Sequence, residues 1–202
     1  MKLIFSTHNQ NKLKEVRSLI PANIQLMSLD ELNFKNEIEE TETTIEGNAL
    51  LKARTIYKHT GINCFSDDSG LLVDDLNGAP GVYSARFAGE QKNDQDNIDK
   101  LLNELRNSKN RAAHFKTVMA LVLEGKEYVF EGIIHGKITT EKQGSNGFGY
   151  DPVFMPEGYN QTFAQMDPET KNSISHRGIA LKKLVDFLVT SSVLRTPPSK
   201  EE

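Results

Sequence analysis

The apolar positions of this chain fall into short runs, some alternating and some spaced for one face of a helix. Residues 2–6 form a brief apolar run, a buried strand by pattern, which stops at the polar loop Thr7-His8-Asn9-Gln10-Asn11. Leu13, Val16, Leu19 and Ile20 then recur at helical spacing as far as Pro21. Ile24, Leu26 and Ser28 alternate as a second strand. Thr43 with Glu46 has the form of a capping box, and Ile45, Ala49, Ala53, Ile56 and Tyr57 continue that helix toward a stop at Gly61. Residues 64–66 and 71–73 read as two short strands on either side of Asp67-Asp68-Ser69-Gly70. Ile98, Leu101, Leu102 and Leu105 mark a further helix. The runs 115–123 and 127–134 predict a long hairpin turning at Glu124-Gly125-Lys126. Residues 136–172, rich in Gly, Pro and polar groups, predict loops with short strands. Ile179, Leu181, Leu184, Val185 and Leu188 mark a last helix. The pattern predicts a mixed α/β (α+β) fold with a mixed sheet, in one domain over 1–195. The polar tail 196–202, with two prolines, is expected to fray.

Composition narrows the classes. Hydrophobic residues make up 37% and charged residues 26%, enough for a core and a solvated surface. No stretch approaches the ~18 apolar residues of a membrane span, and the first residues turn polar too soon for a secretory signal. Cys64 is the only cysteine, which rules out an internal disulfide and a multi-cysteine zinc site. A cytoplasmic protein with no membrane association is expected. The formal net charge of −4 argues against sequence-independent nucleic-acid binding, which rests on a basic surface. With 24 Lys and Arg, a local basic pocket remains open.

Five segments carry candidate chemistry. Thr7, His8, Asn9, Gln10, Asn11 and Lys12 lie where a strand gives way to a helix, and helix N-terminal amides beside an ammonium suit a phosphate. The same loop also reads as a plain turn capped by Asn9 or Asn11, and it lacks the glycines of a P-loop. Asp67 and Asp68, following an apolar run, can aim oxygens at a divalent cation, or can simply form a turn with Ser69 and Gly70. Asp74 and Asp75 read as solvated. Glu37, Glu39, Glu40 and Glu42 precede a helix start, and one of them could reach the same cation. Gly147-Phe148-Gly149-Tyr150-Asp151-Pro152 lets backbone and ring approach a flat ligand, or forms a glycine-punctuated loop over buried aromatics. Lys171 with Ser175-His176-Arg177-Gly178 offers cations near a helix start. No histidine shows paired metal-ligand spacing, so none is assigned a metal.

In order along the chain, Phe65-Ser66-Asp67-Asp68-Ser69-Gly70-Leu71, Gly78-Ala79-Pro80-Gly81-Val82-Tyr83-Ser84-Ala85-Arg86, Phe148-Gly149-Tyr150-Asp151-Pro152 and Ser175-His176-Arg177-Gly178 form a set. That set resembles one family, the inosine triphosphate pyrophosphatases, which act on non-standard purine nucleotides. The resemblance covers residues 3–188. It implies a long bent mixed sheet with flanking helices, two lobes and a central cleft. It also implies a homodimer that splits ITP, dITP or XTP into a nucleoside monophosphate and pyrophosphate.

By the same resemblance, the loop Thr7 to Lys12 holds the triphosphate, with His8 where the family usually has glycine. Glu40 and Asp68 match magnesium ligands, and Asp68 also matches the catalytic proton acceptor. Ser69, Phe148, Gly149, Tyr150, Asp151, Lys171, His176 and Arg177 match substrate contacts. The cofactor implied is Mg2+ and the partner a small nucleotide, with no nucleic acid. Two other readings compete: a Maf-like pyrophosphatase acting on pyrimidine triphosphates, and a non-catalytic nucleotide sensor.

Overall fold

A computed structural model describes residues 1–191. In chain order the elements are β1 (Lys2–Phe5), α1 (Gln10–Leu19), β2 (Gln25–Ser28), α2 (Ile45–Thr60), β3 (Cys64–Val73) and α3 (Asp94–Glu104). They are followed by β4 (Ala112–Leu123), β5 (Lys126–Ile138), β6 (Phe154–Pro156), α4 (Pro168–Ile174) and α5 (His176–Thr190). Six strands form one sheet in the order β2-β1-β3-β4-β5-β6. β1 runs parallel to β2 and β3, and the remaining pairs are antiparallel. The mixed α/β class expected from the pattern is the class observed. The expected tail 196–202, with residues 192–195, lies outside the described residues.

Alternation along the strands sends side chains to two faces. Leu3, Phe5, Phe65, Met119 and Leu121 pack under α1 and α5, against Leu13, Val16, Leu181, Leu184 and Leu188. Ile4, Cys64, Val118, Ala120 and Val122 pack under α2, against Ala49, Ala53 and Ile56. A third cluster covers the far ends of β3, β4 and β5, where Leu71, Val73, Phe115 and Ile138 meet Ile98 and Leu101 of α3 and Phe154 and Phe163. Separate clusters at the two ends of a long hairpin leave room for a cleft between them.

Three local expectations are corrected. The N-cap of α2 is Thr44, whose side chain accepts from the Gly47 N–H, and not Thr43. α1 begins at Gln10, capped by Asn9, so Gln10 and Asn11 belong to the helix and not to the loop. The Asp67-Asp68-Ser69-Gly70 segment is no turn: β3 runs unbroken through it, registered residue by residue on β4. Strand pairing with a long central neighbour overrides the local turn preference of Asp, Ser and Gly. His8 also gives no backbone strain, since the non-glycine residues with positive φ are Asn33, Asn77, Lys92 and Glu124.

Candidate active site

β1 is short. It meets β3 only at Ile4↔Cys64 and Phe5↔Phe65, so beyond that point β3 continues without its neighbour. The chain leaves the carboxyl end of β1 into α1, and the opening lies in the place where open α/β sheets bind ligands. A cleft of about 690 Å³ occupies it, reached by α1, α2, β3, the 147–151 loop and the start of α5.

Because β3 is continuous, Asp67 and Asp68 point to opposite faces of the sheet, which excludes the expectation that the adjacent acids jointly face one cation. Asp67 turns toward α1 and α5. It accepts from Lys12 Nζ at 3.1 Å and from Arg177 Nε at 3.2 Å. Burial works against its charge, but Lys12, Arg177 and Lys52 outweigh burial and hold the carboxyl well below the usual range. Burial also lowers the proton affinity of the Lys12 ammonium; Asp67 opposes this, while the like charges of Lys52 and Arg177 add to the lowering.

Asp68 turns toward α2, where Lys52 Nζ donates to its Oδ1 at 3.1 Å and to Glu40 Oε1 at 2.8 Å. The second oxygen, Asp68 Oδ2, is buried without a hydrogen-bond partner among the described residues. Burial pushes the Asp68 carboxyl above its ordinary range, and Glu40 adds to this against the pull of Lys52 and Lys12. Burial acts the same way on Glu40, yet Lys52, Lys12 and Arg86 prevail and hold that carboxyl down. Two neighbouring carboxyls whose affinities for a proton are driven apart have the character of an acid–base site.

Another part of the cleft wall is aromatic and cationic. Asp151 Oδ2 accepts from Lys171 Nζ at 2.7 Å and from the Phe148 N–H at 2.8 Å, which fixes the loop. The Gly149 N–H donates to Asp94 Oδ2 at 2.7 Å, and the Tyr150 hydroxyl donates to the Ser84 carbonyl at 2.8 Å. Lys171 Nζ and Arg177 Cζ lie 5.1 and 5.5 Å from the Phe148 ring centre. Glu15 ties the two cations together, accepting from Lys171 at 2.8 Å and from Arg177 at 2.6 Å. Arg177 also donates to Ser69 Oγ at 3.2 Å. His176 stacks on Phe115 with ring centres 4.5 Å apart, and its Nδ1 has no partner. Burial, with Arg177 and Lys171 adding, keeps this imidazole far below its usual pKa and hence neutral near pH 7.

The structure therefore gathers most of the expected residues around one space. Thr7, His8, Asn9, Lys12, Glu40, Asp68, Ser69, Phe148, Gly149, Tyr150, Asp151, Lys171, His176 and Arg177 all line the cleft. Gln10 and Asn11 do not: both are exposed on α1, and Gln10 is bonded to Asp30. The expected ring of free helix amides is reduced as well, since the Asn9 side chain already accepts from the Asn11 and Lys12 N–H groups. Lys12 itself is the cation that α1 offers to an anion.

Three organising residues were given no role by the sequence reading, Arg86 entering it only as the end of the Gly78–Arg86 segment. Lys52, Glu15 and Arg86 hold the carboxylates and cations in place. For Lys52 a signal existed. It falls on the Ile45, Ala49, Ile56 stripe, and a lysine on an apolar helix face is buried only when paired. Glu15 carried no such signal.

The fold and cleft define an α/β protein with a charged, nucleotide-sized site at the carboxyl end of its first strand. Residues 3–187 match the Ham1 family, and the chain belongs to that family. A Flavobacterium johnsoniae protein named dITP/XTP pyrophosphatase is 54% identical over 191 residues, spanning 95% of this chain and 100% of that one. A Bacillus subtilis protein of the same name is 45% identical over 189 residues, spanning 92% and 96%. The Staphylococcus aureus Ham1 structure superposes with a TM-score of 0.86 at 40% identity, covering 94% of this chain and 98% of that one. A Coxiella burnetii HAM1 structure gives 0.88 at 38%, covering 95% and 100%. Among the described residues no helix is long and apolar enough to cross a membrane.

Proposed function

We propose that this chain hydrolyses non-standard purine nucleoside triphosphates, ITP, dITP and XTP, to the monophosphate and pyrophosphate. The observation that carries the reading is Asp68: a buried carboxyl with one oxygen held by Lys52 and the other unpartnered. It lines the same cleft as the cations Lys12 and Lys52 and the ring of Phe148. The names of the relatives supply the substrate class. Membership of the Ham1 family also sets aside the Maf-like, pyrimidine-directed reading.

In this reading the triphosphate lies toward Lys12 and Lys52, and the purine lies against Phe148. A water placed beside the Asp68 carboxylate attacks the α-phosphorus. The new bond is water oxygen to α-phosphorus, and the bond broken is α-phosphorus to bridging oxygen. Pyrophosphate leaves, and Asp68 takes the proton from the water. The raised proton affinity of Asp68 suits it to that role, while Glu40 remains ionised. Hydrolysis of this kind needs positioning and charge neutralisation more than covalent participation. At the base end, a 6-oxo group meets hydrogen-bond donors, whereas the 6-amino group of adenine leaves a donor unpaired.

The donor set of Glu40 and Asp68 fits Mg2+, an ion held by one or two carboxylates and completed by substrate phosphates and water. The unpartnered Asp68 Oδ2 is the atom that accommodates it, with Glu40 as second ligand. Bound there, Mg2+ would neutralise phosphate charge and acidify water. A homodimer and a cytoplasmic location belong to the same proposal, the first open to light scattering. The deciding experiment incubates the protein with a panel of nucleoside triphosphates and Mg2+, separating pyrophosphate from orthophosphate. Pyrophosphate released from ITP and XTP well above ATP and UTP supports the proposal. Release of orthophosphate, a preference for pyrimidines, or binding without turnover overturns it.

A further inference from the structure

Away from this cleft, His114 of β4 and His135 of β5 face each other directly in the antiparallel register. Three rungs away, the Ile138 N–H donates to the Arg111 carbonyl at 2.9 Å, so those opposed residues form a hydrogen-bonded pair. The pattern alternates, which makes His114 and His135 a non-hydrogen-bonded pair, the kind whose side chains stand closest. The His135 carbonyl accordingly turns the other way and accepts from the Glu157 N–H at 2.9 Å. The two imidazoles lie with ring centres 5.4 Å apart and planes at 40°. Both line a separate surface cavity of about 460 Å³, shared with Asp74, Lys137, Glu157 and Tyr159. No hydrogen bond to another described residue engages either ring.

We propose that His114 and His135 form a two-imidazole site for a transition-metal cation of the zinc, nickel or copper class, distinct from the proposed magnesium site. The geometry suits such an ion. With Zn–N bonds of about 2.0–2.1 Å and a tetrahedral angle, two imidazole ring centres stand roughly 5 Å apart. The observed separation of 5.4 Å is close to that spacing. Imidazole nitrogen is a favoured ligand for these metals and a poor one for Mg2+. Burial and the neighbouring His135 also depress the His114 proton affinity, so its ring is available as a neutral ligand near pH 7. Among the described residues no group of three or more His, Cys, Asp or Glu side chains is placed to hold a metal. The site is therefore bidentate, with water completing the shell. Asp74 lies beside it as a compensating charge. Lys116 is already paired with Glu131, which leaves Lys137 as the opposing cation of the cavity.

The test titrates Zn2+ into the nucleotide-free protein and follows the histidine ring signals by NMR, with calorimetry alongside. The same titration is run on His135→Ala and His114→Gln, with circular dichroism to check folding. His135 is exposed, so its replacement leaves the core untouched. The expected result is a Zn2+-dependent shift of both ring signals in the wild type. Either substitution should weaken that event by more than about tenfold, since one of two protein ligands is gone. Zn2+ that binds only at the carboxylates of the cleft would survive both substitutions unchanged, and that result overturns the proposal. Ring signals that stay fixed up to about 1 mM Zn2+ overturn it as well, because a chelating pair should be well occupied at that concentration.

Discussion

Asp67 and Asp68 are consecutive residues of β3 that serve opposite faces of the sheet. Asp67 is 3.2 Å from Arg177 on the α5 side, and Asp68 is 3.1 Å from Lys52 on the α2 side. The first pairs with Lys12 and Arg177 and is almost fully buried; the second keeps one oxygen without a hydrogen-bond partner among the described residues. The proposed chemistry belongs to the second.

Asp68→Asn should reduce kcat for ITP by on the order of 10²–10⁴-fold, the value of a positioned general base. Its thermal transition should stay close to that of the wild type. Asp75→Asn is the contrast, since Asp75 is exposed and bonded to Ser108. It should change kcat by less than about twofold, in keeping with a surface substitution. Equal losses in the two variants would move the site away from Asp68.

Removing Lys52 should shift the pH dependence in a defined direction. Lys52 lowers the proton affinity of Asp68, against burial and Glu40. Without that cation the Asp68 carboxyl holds its proton to higher pH. Since the deprotonated form accepts the proton from water, the acid limb of kcat/KM in Lys52→Met should move upward in pH. Kinetics from pH 5 to 9 read this out. An unmoved limb, or one displaced to lower pH, would show that Asp68 is not the titrating group.

Lys12→Ala and Arg177→Ala should separate the two ends of the substrate. In the proposed binding mode Lys12 meets the phosphates, so its loss should lower kcat/KM for ITP and ATP by similar factors. Arg177 borders the aromatic end, so its loss should weaken ITP selectively, by roughly 1–3 kcal/mol for a charged hydrogen bond. Arg177 also pairs with Asp67 and Glu15. Its removal should therefore destabilise the fold by about 3–5 kcal/mol, the cost of breaking buried pairs. Urea unfolding measures that loss, and the kinetics are taken where the variant remains folded. A selectivity change in Lys12→Ala alone would reverse the assignment.

Gly132→Ala tests how α5 is seated. A Cβ at position 132 of β5 would lie 2.0 Å from the His176 carbonyl oxygen and 2.7 Å from the Ala180 nitrogen. Both neighbours are helix backbone and can move only with the first turn of α5, which carries His176 and Arg177. The variant should lose about 1–3 kcal/mol, as overpacked sites do, and should raise KM for ITP along with the loss. Wild-type KM in a destabilised protein would mean that the turn shifts without disturbing the cleft.

The amphipathic stripes were legible because burial imposes a period. Leu13 and Val16, Ala49 and Ala53, and Leu181, Leu184 and Leu188 were all placed correctly on helices and in the core. The chemical segments were legible for another reason: the resemblance marks Asp68, Phe148, Lys171 and Arg177 together, where each alone reads as an ordinary turn or cap. The unbroken course of β3 was not legible. Asp67 to Gly70 has the local preferences of a turn, and only the ladder with β4 overrules them.

What the sequence determined by itself was most of the helices and strands, the mixed α/β class and, through the motifs, a group of the polar and aromatic residues that line the cleft, because periodicity and motif order are properties of the chain. Tertiary structure alone decided which carboxylate is held and which is free. Asp67 and Asp68 are chemically identical neighbours, and their roles diverge only because the strand sends one toward Lys12 and Arg177 and the other toward Lys52. It also decided that Gln10 and Asn11 stay outside the cleft, and that Glu15 joins Lys171 to Arg177 across 156 and 162 residues of chain. Charge pairing at such separations depends on where helices pack, and no local pattern encodes it.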